Sequence, residues 1–114
     1  MKFSVLMSVY KNDNPIHFRE ALNSLCKSTC VPDEVVLVVD GPIGAELDGS
    51  ILEFKKFLNV KEVRLSSNCG LGRALSHGIE YCSYDWIARF DSDDICAVDR
   101  FEKQMNYISN HPDV

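Results

Sequence analysis

A chain of 114 residues with 46% hydrophobic content can bury one sizeable core, so a single domain over residues 1–114 is expected. Its formal charge of −5, with no cluster of Lys or Arg, argues against a nucleic-acid partner, because binding a polyanion calls for a basic patch. No segment approaches the roughly 18 uninterrupted apolar residues of a membrane span, and the opening MKFSVLMSVYKND turns polar too early for a signal peptide, so the chain is read as cytoplasmic.

In chain order, Phe3 to Val9 is almost wholly apolar, the pattern of a strand covered on both faces. Asn14 and Pro15 supply an N-cap and first-turn pair for a helix, whose apolar positions Phe18, Ala21, Leu22, Leu25 and Cys26 fall on one stripe. A second strand, Val35 to Val39, runs into the turn residues Gly41 and Pro42. Leu47, Ile51, Phe54 and Leu58 mark a second helix, and Val63 and Leu65 alternate in a third strand. Leu71, Leu75, Ile79 and Cys82 mark a third helix, Trp86 to Phe90 a fourth strand, and Val98, Phe101, Met105 and Ile108 a fourth helix. Four successive βα units predict an α/β fold with a parallel sheet, right-handed crossovers and helices on both faces.

In such sheets ligands gather beyond the carboxyl ends of the strands. Ser8, Tyr10, Asn12 and Asp13 follow the first strand, Asp40 the second, residues 66–72 the third, and Asp91 to Asp94 the fourth. One Asp suffices to cap a helix. Asp91, Asp93 and Asp94 in a single turn repel one another unless a cation sits among them, which makes a hard, oxygen-liganded metal ion the first expectation.

Competing nucleotide folds fail at the same strand ends. A P-loop needs GxxxxGK[ST] after the first strand, where this chain has SVYKNDNP. A dinucleotide fingerprint belongs there too, but GLGRAL follows the third strand and carries Leu75 in place of its last glycine. A phosphoacceptor receiver domain would close the first strand with acidic residues, where Ser8, Val9 and Tyr10 stand.

Five stretches in order, FSVLMSVYKND, PDEVVLVVDGP, NCGLGRALSHGI, WIARFDSDDI and RFEKQMNYISNHPDV, together resemble the family 2 glycosyltransferases of bacterial polysaccharide biosynthesis and their nucleotide-sugar-binding, Rossmann-like GT-A fold. The resemblance implies that Ser8, Val9 and Tyr10 line the nucleobase pocket, partly through backbone groups. It implies that Asp40 accepts a hydrogen bond from the base, although many relatives carry two acidic residues where this chain has Val39 and Asp40. Gly70 and Gly72 would let backbone approach the ribose and diphosphate, with Arg73 meeting the phosphates. Asp91 and Ser92 would face the ribose or a metal-bound water, and Asp91 and Asp93 would hold Mn²⁺ or Mg²⁺, leaving Asp94 to cap the next helix or support the ligands.

The implied reaction is metal-dependent, inverting transfer of a sugar from a UDP-sugar to a glycan or lipid-linked acceptor. The family's general base lies further along its chains than this sequence extends. The sequence is therefore read as a truncated, donor-binding N-terminal part of a longer, membrane-associated enzyme, inactive alone, with an open sheet edge prone to self-association. A non-catalytic nucleotide-sugar-binding module is the alternative. A sugar nucleotidyltransferase would want a Gly- and Arg-rich loop where YKNDNP stands.

The remaining polar residues have simpler readings. His17 and His77 lie on predicted helices without a second His at metal spacing, so both are expected in solvent. The five cysteines are odd in number and lack CxxC spacing, and are read as reduced thiols, mostly in the core. Arg89, inside a strand, is expected to be buried and to brace an Asp, with Arg100 doing likewise from the last helix. Phe18, Trp86 and Met105 are assigned to the core.

Overall fold

The computed structural model describes residues 2–110; Met1 and His111 to Val114, the end of the last quoted stretch, lie outside the described residues. The elements alternate strictly: β1 (Phe3–Val9), α1 (Pro15–Cys26), β2 (Glu34–Val39), α2 (Ala45–Phe54), β3 (Val60–Arg64), α3 (Leu71–Ile79), β4 (Trp86–Arg89) and α4 (Arg100–Asn110). The strands form one parallel sheet in the order β3-β2-β1-β4. β1 and β2 pair in register from Ser4 with Glu34 to Val9 with Val39, and every residue of β2 is buried. A strand with both faces covered has no solvent side on which to alternate, hence the continuous run Val35 to Val39.

Strand order reverses once, and the helices follow it. The chain steps outward from β1 through β2 to β3, then returns across the sheet to place β4 on the other side of β1. Crossovers of one hand put the helix on opposite faces when the direction of travel reverses. Accordingly Phe18, Leu22, Leu47 and Ile51 of α1 and α2 share a core with Phe3, Val5, Met7 and Val9, while Ala74 of α3 joins Leu6, Val36 and Val38 on the opposite face. Phe101 of α4 completes the first core, its ring 4.9 Å from that of Phe3.

Two helices differ from the sequence reading. In α3 the large residues Leu71 and Ile79 are exposed, and the small residues Ala74 and Gly78 face the sheet. The reason is close approach: a Cβ on Gly78 would lie 2.5 Å from Val38 Cγ2 and 2.6 Å from Leu6 Cδ1. α4 begins only at Arg100, so Val98 precedes it and is exposed. The intervening chain is spent on a turn and on anchorage to the end of α1. There the Cys96 N–H donates to Ser24 Oγ (2.9 Å) and the Thr29 N–H to the Val98 carbonyl (2.8 Å). All five cysteines are free thiols; Cys96 is buried in the first core, Cys26, Cys30 and Cys82 are half-buried against the cores, and Cys69 is exposed, so the expectation of mostly core thiols holds for four of the five.

At the amino ends of the strands, Glu34 is 3% exposed and fully engaged. It accepts from the Ser4 hydroxyl (2.7 Å), the Ser83 N–H (2.5 Å) and the Ser83 hydroxyl (3.0 Å), with the Lys61 ammonium 3.4 Å away. Burial by itself would raise its pKa. The Ser83 N–H, the two hydroxyls and the Lys61 charge outweigh burial and hold the carboxyl below its ordinary value of 4.5. A group depressed in the folded state stabilises the fold above its unfolded pKa, and that stability is lost as pH falls through the folded value. Glu34→Gln is expected to cost about 1–3 kcal/mol near neutrality and to flatten the decline in stability below pH 4.5. Urea denaturation across pH checks this, and an identical acid limb in the variant would show that the network does not depend on the charge.

Candidate functional site

The carboxyl ends of β1, β2 and β4 and the loop after β3 converge on a cavity of about 440 Å³. It is lined by Ser8, Tyr10, Asp13, Asp40, Asn68, Gly70, Leu71, Asp91, Ser92 and Asp93. The location follows from the topology. Where strand order reverses, beside β1, the flanking loops part and leave a crevice.

Each wall has its own local cause. After β1, the Tyr10 N–H donates to Asp13 Oδ2 (3.0 Å) and the Asp13 N–H returns to the Tyr10 carbonyl (3.0 Å), a closed turn that fixes Tyr10 at the rim. Asn14 Oδ1 then accepts from the N–H groups of Ile16 and His17, starting α1. After β2, Asp40 is 4% exposed, and its two carboxylate oxygens accept from the N–H groups of Cys69 (2.7 Å) and Gly70 (3.1 Å). After β4, Asp94 Oδ2 accepts from the Asp91 N–H (3.0 Å), and the Asp94 N–H donates to the Asp91 carbonyl (3.1 Å).

These bonds sort the carboxylates. Asp13, Asp40 and Asp94 each accept a backbone N–H, whereas among the described residues the carboxylates of Asp91 and Asp93 accept none and no cation pairs with them. Asp91, Asp93 and Asp94 each offer an oxygen within 4.8 Å of the others, and Asp91 and Asp93 are exposed toward the cavity they line. Clustered carboxylate oxygens suit a hard divalent cation such as Mn²⁺ or Mg²⁺. Asp94 caps its own turn rather than α4, which starts six residues on at Arg100.

Of the residues singled out in the sequence, Ser8, Tyr10, Asp40, Gly70, Asp91, Ser92 and Asp93 meet in this cavity. Val9 does not line it. Its side chain is 1% exposed on the face covered by α1 and α2, because alternation turns successive residues of β1 to opposite sides. Arg73 is exposed on α3, outside the lining. Arg89 is exposed rather than buried, and Arg100 donates to the Arg89 carbonyl (3.3 Å) and lies over the rings of Phe90 and Phe101 instead of bracing an Asp. Asn68 was not singled out individually, Leu71 was read only as an apolar position of the third helix, and Asp13 was noted only as following the first strand. The signal for Asp13 was its spacing from Tyr10, which permits the closed turn.

Comparison with known proteins gives a consistent picture. The model of the family Glycosyl transferase family 2 matches residues 4–114. The chain is 50% identical over 113 residues to an uncharacterized glycosyltransferase of Haemophilus influenzae, which covers 99% of this chain and 42% of that protein. It is 42% identical over 113 residues to the UDP-Gal:alpha-D-GlcNAc-diphosphoundecaprenol beta-1,3-galactosyltransferase of Escherichia coli, with coverage of 99% and 41%. Among solved structures, S. aureus TarS 1-349 in complex with UDP-GlcNAc superposes with a TM-score of 0.86 and 27% identity, over 97% of this chain and 32% of that one. The chain thus spans about two fifths of the length of the two sequence relatives.

The geometry makes Gly41 a point of vulnerability. Its φ is +85°, and a Cβ there would lie 2.7 Å from the Asn68 nitrogen, which is backbone and cannot swing aside. Gly41→Ala is expected to cost about 1–3 kcal/mol and to displace the Asn68 side of the cavity. Denaturation together with amide chemical shifts of residues 66–72 would check both effects, and an unperturbed loop would count against the close approach.

Proposed function

The chain belongs to glycosyl transferase family 2, and on that footing we propose that it is the donor-binding part of a metal-dependent, inverting glycosyltransferase that takes a UDP-sugar. The acceptor proposed is a glycan or lipid-linked sugar in cell-surface polysaccharide synthesis. The reading is supported by the name of the E. coli relative, a galactosyltransferase using UDP-Gal, and by the UDP-GlcNAc bound to TarS. The observation that carries it is the meeting of two uncommitted carboxylates, Asp91 and Asp93, with Ser8, Tyr10, Asp40 and Gly70 in one cavity.

Each residue then has a task. Tyr10, held by the Asp13 turn, offers a ring face to the base, and Ser8 lines the same cavity. Gly70 and Leu71 present backbone to the diphosphate, where the absence of a side chain on Gly70 permits close approach. Asp91 and Asp93 would hold Mn²⁺ or Mg²⁺. A cation held there would offset the negative charge that grows on the departing diphosphate. Among the described residues no helix is long and apolar enough to cross a membrane.

Calorimetry tests the proposal. UDP is expected to bind in Mn²⁺ at least tenfold more tightly than in EDTA, Asp93→Ala to abolish the difference, and Asp94→Ala to retain it in part because that side chain caps its turn. Equal UDP affinity in Mn²⁺ and EDTA would end the metal-dependent reading.

A further inference from the structure

Asp40 closes β2 as a buried carboxylate, and among the described residues it has no cationic partner. Its charge is met instead by backbone: Oδ1 accepts from the Cys69 N–H at 2.7 Å and Oδ2 from the Gly70 N–H at 3.1 Å. The donors lie 29 and 30 residues further along, in the loop that leads into α3. That loop is held at a second point, since Gly41, the next residue after Asp40, approaches it so closely that a Cβ would meet the Asn68 nitrogen at 2.7 Å. Gly70, immediately before α3, sits at φ +90°, a conformation that L side chains rarely adopt. The Gly70 N–H also donates to Asn68 Oδ1 (3.1 Å). Asp40, Asn68, Gly70 and Leu71 all line the cavity.

From this arrangement we propose that Asp40 is a positioning residue. It acts through the Cys69 and Gly70 amides, fixing the loop that shapes the phosphate end of the donor site, rather than reading the nucleobase. The inference rests on the donor-binding function proposed above. A carboxylate with both oxygens turned to one backbone segment behaves as a clamp: the two charge-assisted bonds hold the segment in the conformation that Gly70 alone can take without strain. Asp40→Asn keeps the shape but turns an NH₂ toward one of the two N–H donors, so one bond is lost and the loop relaxes.

Two variants separate the clamp from a base contact and from a loss of folding. Asp40→Asn is expected to weaken UDP about tenfold while leaving uridine unchanged. Gly70→Ala, whose Cβ would meet no protein atom within 4 Å but would strain the loop at φ +90° and face the diphosphate, should give the same pattern. Because both act through one loop, the double variant should lose less than the product of the two single effects. Hydrogen exchange at the Cys69 and Gly70 amides should accelerate in Asp40→Asn, with β1 and β2 still protected. Uridine weakened as much as UDP, fully multiplicative effects, or unchanged exchange at the two amides would each overturn the clamp. Failure of the unaltered chain to bind UDP would instead overturn the donor-binding reading, and the exchange measurement would still decide the clamp.

Discussion

β1 and β2 lie parallel, paired over six residues and shut from water on both faces, and the other elements are obliged to serve that pairing. Parallel neighbours cannot be joined by a tight turn, so a helix must carry the chain back each time. Covering both faces then requires helices above and below, and a single reversal of strand order is the economical way to obtain them. The reversal at β1 sends α1 and α2 to one side and α3 to the other. It also opens the crevice in which the acidic residues meet. The site is thus a consequence of how the sheet hides its centre.

Within the crevice, acidity is divided between two kinds of work. Asp13, Asp40 and Asp94 are committed to backbone N–H groups and hold turns or loops in place, while Asp91 and Asp93 accept no internal donor among the described residues. The committed groups stabilise the frame whether or not a ligand is bound. The uncommitted pair adds only repulsion in isolation, a cost that makes sense when a cation relieves it. Composition alone would have counted all five as equal.

The fold was legible because its strands and helices carry strong periodicity, above all the unbroken Val35 to Val39 and the stripe from Phe18 to Leu25. What periodicity misread was α3. Of the four apolar positions read as facing the sheet, Leu75 and Cys82 do pack against the core that holds Leu6 and Val36, but Leu71 and Ile79 are exposed, and the closest approach is made by Ala74 and Gly78. Arg89 was misplaced for a related reason: among the described residues β4 has a partner on one side only, so a residue within it can reach solvent. In the site, the strand-end residues and the Asp91–Asp93 pair were legible from position and local spacing. The Asp40 bonds to Cys69 and Gly70 were not, since they join residues about thirty positions apart and exist only once β2 and β3 lie side by side. The Val9 side chain turns to the covered face by one step of alternation, so only its backbone remains available to the cavity side.

The pairing of β1 with β4 has a kinetic side. Phe3 stands opposite Trp86, whereas Ser4 stands opposite Glu34 in β2. Closing the β1–β4 pair means gathering some eighty intervening residues, an entropic cost greater than that of the shorter β1–β2 closure. Contacts so distant in sequence slow a folding chain, and they form most readily once the nearer pairs have shortened the path. The turn bearing Asp91 and Asp93 follows directly on β4, so it takes its place at the end of that assembly. A nascent chain would carry a nearly finished sheet before it carried a complete acidic site, and would be spared holding those unshielded charges together while its core was still forming.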